Sequence, residues 1–176
     1  MKAVVVYESM YGNTHLVADA IADGLRSEAT VSVVPVERAE PELLTGADLL
    51  VVGGPTHVHG MSRPRTREAA VDAAAKPGAD LEVEPDAEGP GLREWFDTVE
   101  RIAPDAAAFD TRMRGPAGFT GRASKGIAKR LRAHGAILVV DPESFLVSKD
   151  NRLIGDEERH AQAWGAQIAH AMVGRV

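Results

Sequence analysis

Two short loops hold most of the residues whose types and spacing suit ligand chemistry. In the first, Glu8-Ser9-Met10-Tyr11-Gly12-Asn13-Thr14 runs straight into a helical pattern. Ser9 and Thr14 bring hydroxyls, Gly12 permits a close backbone approach, and Asn13 or Thr14 can cap the helix. With the free N–H groups of a helix N-terminus, this set makes an anion site. It lacks the lysine of a P-loop and the three glycines of a dinucleotide fingerprint. A phosphate held without a cation suits a tightly bound monoester. In the second loop, Gly53-Gly54-Pro55-Thr56-His57-Val58-His59-Gly60, a rigid start and a flexible end bracket residues suited to lying against a flat ring. The His57-x-His59 pair also has chelating spacing. The chain has no Cys, however, and that loop has no carboxylate at a fixed short offset.

These loops need elements to position them. Lys2–Tyr7 is a β-branched apolar run, as in a strand buried on both faces. A helix follows, with Val17, Ile21, Gly24 and Leu25 on one face. Thr30–Val36 reads as a second strand, placed at a sheet edge by Pro35, and Pro41–Thr45 as a short helical turn. Asp48–Val52 is a third strand stopped by Gly53-Gly54-Pro55. Residues 76–91, rich in Pro, Gly and acids, read as an exposed loop or insertion. The spacing of Trp95, Phe96, Val99 and Ile102 predicts a helix over Leu92–Ile102. Ala106–Phe109 is a fourth strand by position, poor in propensity. Ser124–His134 is a helix closed by Gly135, Ala136–Val140 a fifth strand, and Asp156 to about Met172 a final helix. Trp95 and Trp164 read as core.

Alternating strands and helices predict an α/β fold: a three-layer, doubly wound, five-stranded parallel sheet in the order 2-1-3-4-5. A single domain spanning 1–176 fits a length near the ~150 residues of one domain. In such sheets ligands bind at the carboxyl ends of the strands, where the order reverses. The informative residues fall there.

Ser9-Met10-Tyr11-Gly12-Asn13-Thr14 together with Gly53-Gly54-Pro55-Thr56 resembles the flavodoxin family. The stretch Phe145-Leu146-Val147, Gly155-Asp156-Glu157-Glu158-Arg159 and Ala163-Trp164-Gly165 is similar to a flavodoxin-like branch common in high-GC bacteria. The resemblance implies an FMN cofactor, with Ser9, Met10, Tyr11, Gly12, Asn13 and Thr14 around its phosphate. It implies Pro55, Thr56, His57, Val58, His59 and Gly60 beside the ring. The family's third flavin loop falls on Asp110-Thr111-Arg112-Met113, which makes Thr111 and Arg112 further candidates. The chain departs from the family there: flavodoxins usually carry a Gly- and Asp-containing loop, often with a Tyr stacked on the ring. Met61, His57 or His59 is left to cover the ring instead.

Composition narrows the classes. Zero Cys excludes disulfides and thiolate chemistry, and the longest apolar runs fall far short of the ~20 residues of a membrane span. The strand at Lys2 leaves no room for a signal peptide, so a cytoplasmic protein is expected. A formal charge of −6 argues against nucleic acid. The charge is uneven, though: residues 80–110 hold ten acids and two bases, whereas residues 111–135 hold seven bases and no acid. With Arg63, Arg65 and Arg67, these bases are placed around the mouth of the site. An electron carrier between partner redox enzymes is the first reading, its partner an acidic protein face or a small anionic donor or acceptor. An FMN-dependent NAD(P)H:quinone-type reductase is the second. A phosphoacceptor receiver lacks its Asp at the end of strand three and its acidic pair after strand one.

Overall fold

The computed structural model describes residues 1–174. Five positions of parallel strand form its centre. β1 (Lys2–Tyr7) pairs with β2 (Thr30–Pro35) on one side and β3 (Leu49–His57) on the other, and β3 pairs with β5 (Asp105–Met113). The fifth position is filled by two pieces, β6 (Ile137–Leu138) and β7 (Glu143–Val147), both parallel to β5. The order β2-β1-β3-β5-β6/β7 is the predicted doubly wound one, and β4 (Gly60–Met61) turns back antiparallel on the end of β3.

Side chains alternate across this sheet into two cores. On one face Ala3, Val5, Leu49, Val51, Ala107 and Phe109 meet α1 (Asn13–Leu25) and α7 (Glu157–Val173). On the other Val4, Val6, Leu50, Val52, Ala106 and Ala108 meet α4 (Leu92–Thr98) and α6 (Ala123–Ala133). Trp95 and Trp164 lie in these cores as expected, with Trp95 Nε1 donating to the Ala39 carbonyl at 3.1 Å.

Several expectations need correction. The third strand does not stop at Gly53-Gly54-Pro55 but runs on to His57. Its glycines are there for clearance: a Cβ on Gly53 would collide with the Phe109 ring, and one on Gly54 would lie 2.8 Å from Leu92. The fourth strand continues to Met113, so Asp110, Thr111 and Arg112 belong to a strand end rather than a loop. Its Ala-Ala-Ala centre is fully buried between both cores, where large residues would not fit. Only Ile137–Leu138 of the proposed fifth strand holds: after a last hydrogen bond from Val139 N–H to the Ala106 carbonyl at 3.0 Å, the chain leaves the ladder and resumes it at Glu143. Residues 64–74 form α3 (Pro64–Ala74), a helix with proline in its first turn that the sequence reading omitted. The helix begun at Leu92 ends at Thr98.

The 76–91 segment is irregular, as expected, but it is tied down. Glu84 N–H donates to the Met10 carbonyl at 2.8 Å, and Ala87 is buried. His15, stacked on Tyr7 at 4.5 Å, holds the Glu84 carboxylate at 3.2 Å.

α1 and α7 cross closely through Gly24 and Gly165. A Cβ on Gly165 would collide with the Ile21 carbonyl, and one on Gly24 with the Gln162 carbonyl. Glycine inside a helix normally costs about 1 kcal/mol against alanine, but here the overpacking outweighs that gain. Gly165→Ala is expected to destabilise the fold by about 1–3 kcal/mol, read from its urea midpoint.

Candidate functional site

The carboxyl ends of β1, β3, β5 and β7 enclose a cleft of about 190 Å³. β1 ends at Tyr7, and the chain turns sharply into α1 through Gly12, whose φ of 89° suits glycine. Ser9 Oγ fixes the turn by accepting from Gly12 N–H at 3.1 Å. No residue of the first turn of α1 is acidic, although the Glu84 carboxylate of the 76–91 segment reaches His15 there at 3.2 Å. Thr14 is buried, and its hydroxyl meets that of Thr111 at 2.7 Å across the cleft floor. Asn13 Nδ2 donates to the Asn151 carbonyl at 2.9 Å, fastening the α1 start to the segment after β7. Tyr11 lines the cleft, while its hydroxyl is committed to the Ala70 carbonyl of α3 at 2.6 Å.

β3 supplies the opposite wall with Pro55, Thr56 and His57. Thr56 Oγ1 accepts from Ala123 N–H at 2.9 Å, and Asp110 accepts from Ser124 N–H at 2.7 Å, so both cap α6. Burial holds the His57 ring below its ordinary pKa, opposed in part by the nearby Glu8 carboxylate. Beyond His57 the hairpin turns through Val58 and His59 at φ 45° and 70°, a left-handed pair unusual for these residues. The turn is held by the bridge of His59 to Gly121, where a Cβ would strike the His59 backbone.

The cleft thus gathers Ser9, Met10, Tyr11, Asn13, Thr14, Pro55, Thr56, His57, Thr111 and Arg112 from the sequence candidates. Gly12 shapes the turn without lining the cleft, and Val58, His59 and Gly60 lie outside its lining, with Val58 83 % exposed. Arg112 gives one guanidinium nitrogen to the Gly115 carbonyl at 2.9 Å and the Thr120 hydroxyl at 3.0 Å. Its Nε–H is buried without a partner among the described residues. His57 is largely buried and His59 exposed; among the described residues no group of three or more His, Asp or Glu is placed to hold a metal ion.

Sequence reasoning missed Met113, Val147 and Asn151, which also line the cleft. With the fifth strand taken to end at Val140, the segment after its true end at Val147 was not a candidate. It also missed a buried polar network below the hairpin. Glu8, 5 % exposed, accepts from the Ser62 hydroxyl and from Leu92 N–H at 2.9 Å. Arg67 donates to Ser62 Oγ at 3.0 Å and to Glu94 at 3.0 Å, and Glu94 in turn accepts from Gly91 N–H at 2.8 Å. Arg67 is therefore buried structure and not, as its neighbours in sequence implied, part of a cationic rim.

Residues 5–82 match the flavodoxin family model. No curated protein sequence matches the chain. Among solved structures, an archaeal flavodoxin is 23 % identical, covers 97 % of each chain and superposes with a TM-score of 0.65. Oxidised Flavodoxin 1 from Bacillus cereus is 20 % identical, with 97 % of this chain and 98 % of that one covered at 0.64. Rubredoxin oxygen:oxidoreductase from Desulfovibrio gigas is 18 % identical at 0.63; 98 % of this chain matches 36 % of that larger one. The fold is that of the flavodoxins, and the resemblance seen in the loop motifs is borne out.

Two outcomes follow from the buried groups. Arg67→Met removes the buried donor to Ser62 Oγ and leaves Glu94 without its cation, and is expected to cost about 3–5 kcal/mol in denaturant unfolding, more than Glu94→Gln at the half-exposed end. His57 has a folded pKa below its ordinary 6.5, so the unfolded chain binds the extra proton first. The stability that neutral His57 confers is complete above that value and is lost as pH falls through the folded pKa. In unfolding measured between pH 7 and pH 5, His57→Gln should flatten this slope.

Proposed function

We propose that the chain binds FMN noncovalently in this cleft and works as a cytoplasmic electron carrier between partner redox proteins. The observation that carries the reading is the cleft's donor set: the N-terminus of α1, the hydroxyl-bearing Ser9, Thr14, Thr56 and Thr111, and Arg112 line it at the strand-order reversal. These are groups for a phosphate monoester and a polyol. They fit the group in kind, and the family match over residues 5–82 supports the same cofactor.

Ser9, Asn13 and Thr14 would hold the phosphate through hydroxyls and helix amides, with the α1 dipole offsetting its charge. Thr56 and Thr111 would face the polyol. The cleft is smaller than the ~300–1,000 Å³ of pockets that engulf a ligand, so the ring would lie across the mouth between Pro55–His57 and Met113. Bound there, FMN supplies reversible one- and two-electron chemistry. The protein's part is to orient the ring, leave one edge accessible and exclude water from the other. Neutral His57 keeps a formal positive charge away from the ring near pH 7, while Arg112 places one at its side. The reductase reading draws on the cationic groups near the mouth, which would attract an anionic nicotinamide dinucleotide.

Apoprotein titrated with FMN and with riboflavin tests the assignment. FMN should bind more tightly, and Thr14→Val should weaken FMN by about 1–3 kcal/mol while leaving riboflavin nearly unchanged. Equal affinity for the two ligands would remove the phosphate site. Mixing the loaded protein with NADPH alone separates the readings, since a carrier keeps its yellow colour and a reductase bleaches.

A further inference from the structure

The basic residues that do not line the cleft fall into two groups, one on each exposed flank of α6. α6 buries Ser124, Ile127, Ala128 and Leu131 against the sheet. Its outward side presents Lys125, Lys129 and Arg132, one stripe at i, i+4 and i+7. All three are exposed and form no ion pair among the described residues. Alongside, Arg130 is paired with Asp97 at 2.6 Å. Arg93 donates to the Ser62 carbonyl at 2.9 Å, and burial, then Arg63 and Arg130 nearby, disfavour its charge. Arg63, Arg93 and Arg130 thus gather on the α4 side of α6, while the stripe, roughly 100° or more around the helix from Arg130, runs along the other exposed flank from the Ser124 end beside the cleft.

Where this region reaches the cleft mouth, two bulky apolar side chains stand in solvent. Val58 is 83 % exposed and Phe119 81 %, on segments joined by the His59–Gly121 bridge. Phe119 lies on α5 (Ala117–Thr120), which the Arg112 guanidinium anchors through Thr120. On these bridged segments they give the cleft rim an exposed apolar element. The local charge opposes that of the chain, whose total is −6. A surface with an apolar anchor and an unpaired cationic flank is complementary to an acidic protein face.

We propose that Phe119 and the Lys125–Lys129–Arg132 stripe form the docking face for an acidic redox protein whose contact surface has an apolar centre. The proposal rests on the carrier reading, because that face sets its partner beside the mouth across which the ring would lie. The stripe extends only about 10 Å along the helix, by its rise of 1.5 Å per residue. That span matches a patch on a small protein better than a run of nucleic-acid backbone. Two apolar side chains are also too few to seat a helix in a lipid surface.

Binding to an acidic plant-type [2Fe–2S] ferredoxin is the probe, measured by calorimetry at low and physiological salt, with basic cytochrome c as the contrast. The ferredoxin should bind and weaken as salt rises, and cytochrome c should not compete. Lys125→Glu/Lys129→Glu/Arg132→Glu should lower ferredoxin affinity by at least about tenfold. Phe119→Ser should lower it severalfold and leave the salt dependence intact. The charge-neutral triple Gln variant should fall between wild type and the reversal, and all variants should keep wild-type FMN affinity and thermal midpoint. Ferredoxin affinity unmoved by the reversal, or matched by cytochrome c, would overturn the proposal. So would tighter capture by 7:3 phosphatidylcholine:phosphatidylserine vesicles or a DNA duplex, or a dimer lost in the same variants by sedimentation. The assay reads complex formation with or without flavin, so failure of the cofactor reading appears separately, in the FMN titration.

Discussion

The Glu8 carboxylate ends β1 with almost no access to water, and the upper half of the molecule is arranged around satisfying it. A buried carboxylate without partners would cost several kcal/mol. Here the Ser62 hydroxyl, Leu92 N–H and the neighbouring Arg67 answer it. Ser62 closes the hairpin, Leu92 opens α4, and Arg67 lies in α3, so one side chain joins the loops after β1 and β3 to two helices. The same residue's N–H donates to the Gly53 carbonyl at 2.9 Å, binding the first cleft loop to the strand that forms the opposite wall. Moving Glu8 would move both walls.

That anchor explains why the site can be built from ordinary groups. None of the cleft's hydroxyls needs an unusual environment. They need only be held a few ångströms apart, and the Thr14–Thr111 contact at 2.7 Å shows how tightly the floor is closed. Capping does the same work on the far side. Asp110 and Thr56 spend their oxygens on the first amides of α6. This fixes the helix that carries the basic stripe to the strand ends that carry the cleft. The proposed cofactor cleft and the proposed docking face would thus share one rigid support, which would hold the distance and orientation that electron transfer needs.

Much of this was legible in the chain. Apolar β-branched runs marked β1, whose burial on both faces tolerates little else, and β2, a partly exposed edge strand rich in valine. The Gly12 turn and its hydroxyls marked the first cleft loop, and their spacing before a helix already located the start of α1 at the cleft. The spacing of Val17, Ile21 and Leu25 and of Trp164, Ile168 and Met172 placed α1 and α7. Local chemistry was sufficient wherever the determinant was local.

What the tertiary structure alone decided was contact between distant segments. Gly53 and Gly54 look like a stop until the Phe109 ring and Leu92 are seen filling the space a side chain would take. The Ala106–Ala108 strand carries little β-propensity because its place, between two cores, sets its size limit. Asn151 lines the cleft beyond Val147, where the fifth strand, interrupted over residues 139–142 and resumed at Glu143, comes to its end, a feature with no local periodicity. Glu8 and Arg67 stand 59 positions apart in sequence, one resembling a stray loop acid and the other a rim cation. Burial made them neighbours, since desolvated charges are tolerable only when packing supplies partners that local sequence does not name.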